Sequence, residues 1–200
     1  MSKRRIVVAV TGASGAIYAR RVLGLLADLH RGAAPGMPAM PELELHWVAT
    51  ANAGQVWAAE LVEPMPESIP GARRWATHDF DAPFASGSNA PDAVIVVPCS
   101  MSSLARVAHG GGDDLIARAC DVALKERRRL VLVARETPLS LVHLRNMTAA
   151  TEAGAIVLPA VPSFYAGVTT LEQAVDTVVG RALDLAGIRM PLSKRWGDTA

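Results

Sequence analysis

Thr11-Gly12-Ala13-Ser14-Gly15 is a turn of small residues. It is set between an unbroken apolar run, Ile6–Val10, and an apolar-periodic stretch that reaches Leu29. Such a turn lets a ligand lie against backbone N–H groups, and the head of the following helix attracts an anion, so the turn is a candidate phosphate seat. It lacks the full G-x-G-x-x-G, and any α/β protein can carry a tight strand–helix turn. Four more turns bring polar chemistry to the ends of apolar runs. Glu44–Ala49 delivers Thr50 and Asn52; Ala93–Val97 delivers Pro98-Cys99-Ser100-Met101-Ser102-Ser103; Leu130–Ala134 delivers Arg135-Glu136-Thr137; Ala155–Leu158 delivers Pro159 to Pro162 and then Phe164-Tyr165. Hydroxyls, backbone donors and one arginine suit a phosphorylated, partly flat ligand if the fold gathers them.

The elements that must do the gathering are legible. The apolar runs are rich in Val and Ile, do not alternate with polar residues, and are mostly separated by helix-like segments, the pattern of βαβ units around a parallel sheet. We therefore expect an α/β fold: a three-layer, Rossmann-like or flavodoxin-like parallel sheet with helices on both faces. In such sheets ligands sit beyond the carboxyl ends of the strands, where every turn named above would lie. Thr137-Pro138 offers an N-cap and a first helical residue before Leu139–Ala150. Thr170-Leu171-Glu172-Gln173 is a capping box before Ala174–Ala186. Asp113 or Asp114 can cap a helix running through Lys125, and Arg127, Arg128 and Arg129 follow as a basic run that reads best as a solvated helix end. Residues 32–41 and the Pro-rich stretch 62–74 read as loops. One domain is expected over 1–186, with 187–200 a tail carrying Arg195-Trp196, packed on the body or on a neighbouring subunit.

Composition narrows the classes. The chain has 200 residues, is 50% hydrophobic and 20% charged, and carries a formal net charge of +1, which suits one soluble globular domain and disfavours a nucleic-acid surface. Cys99 and Cys120 form neither a secreted disulfide framework nor a metal-ligand spacing, so a reducing cytoplasm and no metal are expected. No apolar run reaches the roughly 18 residues of a membrane span, and the opening MSKRR leads into a strand rather than a signal peptide.

Taken together, TGASGAIYA at 11–19, ASGS at 85–88, VVPCS at 96–100, RACDVALKERRRLVLVARETP at 118–138, HLRNM at 143–147, GAIVLPAVPSFY at 154–165 and RWG at 195–197 resemble the UbiX-type flavin prenyltransferases of the flavoprotein superfamily. The resemblance implies binding of FMN and dimethylallyl phosphate and transfer of the prenyl group to flavin N5 and C6 without a metal. Prenylated FMN would pass to a UbiD-type decarboxylase. It also implies a homo-oligomer, commonly a dodecamer, with active sites between subunits. Carried over by position, FMN falls to Gly12, Ala13, Ser14, Thr50, Ser100, Met101, Ser102, Ser103 and Arg135. The prenyl phosphate falls to Arg118, Lys125, Arg135, Glu136, Tyr165 and Arg181, and Ser14, Glu60 and Glu136 fall at the reacting centre. Arg and Lys can hold the departing phosphate by charge-assisted bonds, and Glu60 or Glu136 can relay the proton lost on ring closure.

Plainer readings stand beside these. Ser14 also fits a simple cap, Glu60 a solvent-facing site in VWAAEL, Lys125 a cation at a helix end, Arg181 an exposed helix face, and Arg135 with Glu136 a strand-end ion pair. Cys99 reads as a core residue, His109 and His143 as structural, Trp47 and Trp57 as packing. The chain departs from the family pattern at Thr50-Ala51-Asn52, Ser103, Phe80 and Ala166-Gly167, around the prenyl side of the pocket. A flavin-dependent cysteine decarboxylase of the same superfamily and a non-catalytic flavin carrier are the alternatives.

Overall fold

The unbroken apolar runs become strands with both faces covered, as parallel sheets require. The structure, a computed structural model, describes residues 3–34, 36–165, 167–192 and 197. The strands are β1 (Arg4–Val10), β2 (Leu43–Ala49), β3 (Ala72–Trp75), β4 (Ala93–Cys99), β5 (Arg129–Ala134) and β6 (Ile156–Pro159). They form one sheet of order β3-β2-β1-β4-β5-β6 in which each neighbouring pair is parallel. This is the doubly wound order with its reversal at β1 and β4. All carboxyl ends therefore lie along one edge of the molecule.

Side-chain alternation divides the apolar runs between two cores. Ile6, Val8 and Val10, with Leu45 and Trp47, pack against α1 (Ala16–Arg31) and α6 (Leu171–Leu185), and Trp57 of α2 (Ala51–Leu61) joins this core. Val7, Ala9, Val94, Val96, Leu130 and Leu132 face the other layer, α3 (Met101–Ala108), α4 (Leu115–Lys125) and α5 (Leu141–Glu152). Ile188 and Met190 are buried in the first core, so the described start of the tail packs on the body; Arg195, Trp196 and Ala166 lie outside the described residues.

Two local expectations change. Helix α5 is capped by Ser140 in a reciprocal box with His143, not by Thr137, and begins at Leu141; the Thr137–Pro138 bond is cis. Residues 72–74, the end of the stretch read as loop, form with Trp75 the edge strand β3. Its outward arginines lie over indoles, Arg73 at 3.8 Å from the Trp75 ring and Arg74 at 4.8 Å from that of Trp47. Charged residues on a short strand hide its apolar signal and also protect a sheet edge. The other two caps hold: Asp114 accepts from Ala117 N–H, and Thr170 forms its box with Gln173.

Candidate active site

The loops after β1 and β4 are pinned together by one buried side chain. Thr11, 1% exposed, donates its hydroxyl to Pro98 O at 2.8 Å, and its Oγ1 accepts from Ser100 N–H at 2.8 Å. The same joint runs outward: Arg135 N–H donates to Cys99 O at 3.2 Å, Ala160 N–H to Ala134 O at 2.9 Å, and Thr50 N–H to Val10 O at 3.0 Å. Five strand ends are thus tied to their neighbours, and Ser14, Thr50, Ser100 and Arg135 come to one edge. Gly12 has no room for a side chain, because a Cβ there would stand 2.6 Å from Asn52 Cβ. The β1–α1 turn therefore sits flat against the start of α2.

Glu60, near the end of α2, reaches across to the head of α1. Its carboxylate accepts from Gly15 N–H at 2.9 Å and Ala16 N–H at 2.8 Å. Partial burial pushes the carboxyl up. The hydrogen bonds from Ser14, Gly15 and Ala16, with the field of Arg135, outweigh it and hold the pKa below the usual carboxylate value. An anion does occupy this helix head, but it is an internal one. Gly15 caps α1 with φ 114°, a left-handed conformation that suits glycine and aims its amide at Glu60. Tyr18, half-buried beside Arg135, has its phenol pKa raised by burial, which Arg135 partly opposes.

At the head of α3, Ser100 Oγ accepts from Ser103 N–H and lies 3.1 Å from the hydroxyls of both Ser102 and Ser103. Thr50 Oγ1 caps Ala53 N–H at 3.1 Å, which leaves its hydroxyl proton available. Ser14, Thr50 and Ser100 are thus helix-head groups and cradle groups at once. The buried Met101 begins α3. Glu136 turns back on its own loop and accepts from Thr137 N–H at 2.9 Å, while Tyr165 is 57% exposed beyond β6.

The remaining cations are elsewhere on the chain. Arg118, one turn into α4, donates Nε–H to Ala85 O at 2.9 Å and pairs with Asp121 at 3.2 Å. Lys125 pairs with Glu126 at 3.2 Å and ends α4 close to where β5 starts. It stands about 15 Å from the head of α4, at the amino ends of the strands. Arg181 is equally far along α6, on its exposed face. One chain gathers Ser14, Glu60, Ser100 and Arg135 but leaves Lys125 and Arg181 away from them. Sequence reasoning counted Thr11 only as part of the turn and gave Tyr18 no role, though both stand in the TGASGAIYA string. Among the described residues no group of three His, Cys, Asp or Glu is placed to hold a metal. Cys99 is fully buried and its thiol pKa is pushed up to about 12 by that burial.

A switch-point cradle of amides, hydroxyls and one guanidinium on a doubly wound sheet defines a nucleotide-binding α/β protein. The Flavoprotein family profile matches residues 1–183. The flavin prenyltransferase UbiX of Methanocaldococcus jannaschii is 41% identical over 194 residues, covering 96% of this chain and 98% of its own. The crystal structure of AnUbiX with FMN and dimethylallyl pyrophosphate superposes with a TM-score of 0.84 at 43% identity, covering 99% of this chain and 100% of its own. A dodecameric FMN-dependent UbiX-like decarboxylase from Escherichia coli O157:H7 superposes with a TM-score of 0.83 at 36% identity, covering 97% of this chain and 100% of its own. The chain belongs to the flavoprotein family, among its UbiX-type flavin prenyltransferases.

Proposed function

We propose that this protein joins the dimethylallyl group of dimethylallyl phosphate to reduced FMN, giving prenylated FMN for a UbiD-type decarboxylase. Besides the family, the grouping of Ser14, Glu60 and Arg135 around the head of α1 carries the reading. Reduced FMN supplies N5 and C6: the bond from N5 to the first prenyl carbon forms, with loss of the N5 proton, as the C–O bond breaks and inorganic phosphate leaves with its electron pair; the bond from C6 to the dimethyl carbon forms as the prenyl C=C takes up a proton on its inner carbon and C6 gives up its own.

The donor set fits FMN, with one reassignment. Glu60 is an anion on the α1 amides, so it repels a phosphate from the turn that the sequence offered as the seat. The head of α3 is the better seat: its first-turn amides have no intrahelical acceptor, and Ser100, Ser102 and Ser103 carry hydroxyls there. Gly12, Ala13, Ser14 and Thr50 then border the flavin ring. Ser14 holds Glu60, and Glu60 takes the proton. Its lowered pKa makes it a weak base in the open site; a ligand that strips away water raises that pKa toward the range a base needs. Arg135, with Glu136 and Tyr165, meets the departing phosphate.

Arg118 and Lys125 complete that phosphate site from a neighbouring subunit. The about 15 Å along α4 keeps Lys125 from serving its own chain's cradle. Helix α5 supports assembly, since Leu141 and Val142 are each 61% exposed and Leu144 47%. We propose a dodecamer with Arg181 at the same shared site. One folding unit spans 1–186, and 187–200 form a tail on the body or a neighbour. The two buried free thiols, Cys99 and Cys120, support a reducing cytoplasm, and among the described residues no helix is long and apolar enough to cross a membrane.

The test is anaerobic incubation with reduced FMN and dimethylallyl phosphate or diphosphate, followed by mass analysis of the flavin. The expected gain is one prenyl unit; an unchanged flavin mass with both donors rejects the activity.

A further inference from the structure

A polar chain, partly buried at Arg5 and Glu44 and buried at His46 and Trp75, crosses β1, β2 and β3 on the α4 side of the sheet, away from the flavin cradle. Arg5 pairs with Glu44 at 2.9 Å, Glu44 meets His46 Nε2 at 3.0 Å, and Trp75 Nε1–H donates to His46 Nδ1 at 2.9 Å. His46 is 3% exposed. An indole nitrogen only donates, so Nδ1 must be the acceptor and the ring proton sits on Nε2, facing Glu44. The imidazole is therefore neutral, in one tautomer. Phe84 closes the cluster, 5.3 Å from the His46 ring and edge-on to Trp75 at 6.1 Å.

The cluster holds the two ends of one segment. Trp75 ends the short edge strand β3, the last strand of the sheet beside β2. Two residues later Thr77 O accepts from Leu115 N–H, the first residue of α4, at 2.7 Å. At the other end, Ala85, next to Phe84, offers its carbonyl to Arg118 Nε–H. The segment 76–85 thus fixes both the head of α4 and the Arg118 guanidinium. Its own seat is the His46–Trp75–Phe84 contact.

We infer that His46 is a positioning residue: as a neutral acceptor for Trp75 it locks the 76–85 segment, and through it sets Arg118 for the phosphate of the prenyl donor. This rests on the proposed role of Arg118. Protonation of His46 would place N–H against N–H at Trp75 and open the lock. The charged groups facing the ring are Glu44, Arg5 and Arg73, from β2, β1 and β3. Burial lowers the His46 pKa, and the bond from Glu44 only partly opposes this, so the lock holds at neutral pH and opens below the ordinary histidine range.

Hydrogen exchange of the intact protein, corrected for intrinsic rates and carried from pH 8 to pH 5, tests the lock without any variant. Residues 76–90 and 113–118 should exchange at least about threefold faster at pH 5, with β1 and β4 unchanged. Trp75→Phe keeps a ring but removes the donor, and should show the faster exchange already at pH 8. His46→Asn puts an oxygen near the place of Nδ1 and cannot titrate, so it should keep slow exchange at both pH values. In steady-state assays Trp75→Phe should raise the KM for dimethylallyl phosphate about tenfold, with kcat and FMN affinity within twofold, and His46→Asn should keep the wild-type KM and flatten its pH profile. Exchange that ignores both pH and Trp75→Phe overturns the lock. Faster exchange with an unmoved KM overturns the positioning role. Wild-type protein without transferase activity removes the reading of Arg118 while the exchange arm still decides the lock.

Discussion

Replacing Glu60 with Gln separates a helix-capping role from a chemical one. The amide keeps one oxygen for Gly15 and Ala16 N–H and turns its NH2 toward Ser14, so shape and most contacts survive while the charge is lost. Hydrogen bonds to a charged acceptor contribute about 1.5–3 kcal/mol, and an anion at a helix head about 0.3–1 kcal/mol. Glu60 is open to solvent, and screening brings the removable part to about 1 kcal/mol. The expected fall in Tm is then about 2–4 °C. Loss of a positioned proton acceptor costs about 10²–10⁴ in rate, or about 3–5 kcal/mol in the barrier. The two scales differ enough to be told apart. Single-turnover prenyl transfer should slow at least about a hundredfold, with FMN affinity within about threefold. The pH dependence has a fixed sign: the Glu60 carboxyl is held below its ordinary value, so its stabilising contribution is complete above the usual carboxylate range and disappears as pH falls through the lowered value. The stability gap between wild type and Glu60→Gln should be flat from pH 8 to 6 and close in acid. A rate within about threefold of wild type refutes the chemical role, and a Tm drop of more than about 8 °C makes Glu60 first of all a structural cap.

Three further outcomes follow from the same geometry. Gly12→Ala forces a Cβ to 2.6 Å from Asn52 Cβ, and should cost about 1–3 kcal/mol by thermal melting and weaken FMN binding; Asn52→Gly in the same chain should recover most of both, and no recovery places the fault elsewhere. Thr11→Val keeps the volume but leaves Ser100 N–H without its acceptor, while Pro98 O keeps the Thr11 backbone N–H, at about 1–3 kcal/mol in denaturant titration; Thr11→Ser should lose much less, and an equal loss in both would mean that packing and not the hydroxyl matters. Co-assembly of Arg135→Ala with Lys125→Ala subunits, each inactive alone, should restore about a quarter of wild-type turnover in an equal mixture, since that share of shared sites is intact; no restoration puts both residues in one subunit's site.

Most of the sheet could be read from the sequence because buried parallel strands leave continuous Val and Ile runs, and β1, β2, β4, β5 and β6 fall within two residues of their expected bounds. The strand β3 could not, because Arg73 and Arg74 carry an edge position whose apolar partners are indole faces, that of Trp75 on the same strand and that of Trp47 on β2. The cradle was legible as a set of turns, since the parallel topology sends every strand's carboxyl end to one side. Its internal wiring was not. Nothing local in VWAAEL tells that Glu60 reaches the head of α1, because the α2–α1 packing that brings it there is set by Gly12 and Asn52 from different segments. The same holds for the Ser140 cap: Thr137-Pro138 has the stronger local signal, and the chain places the helix start three residues later.

The placement of Glu60 has a consequence for the charge pattern of the whole edge. Two helix heads, those of α1 and α3, open on the same side and are joined through Thr11. Left alone, both would attract a phosphate, and a flavin nucleotide could enter in two orientations. With Glu60 seated on α1, one head is neutralised and the other stays electropositive, so a phosphate entering the cradle is directed to Ser100–Ser103. The ring then faces Ser14 and Glu60, and Arg135, within the field of Glu60, is left to meet the second anion. The carboxylate thus fixes which end of the ligand meets the reacting side before any proton moves. Glu60→Gln also weakens that discrimination, so inorganic phosphate should compete with the transfer reaction more strongly in the variant than in wild type. Equal inhibition constants for phosphate would show that the α1 head is closed to anions for some reason other than the charge already sitting on it.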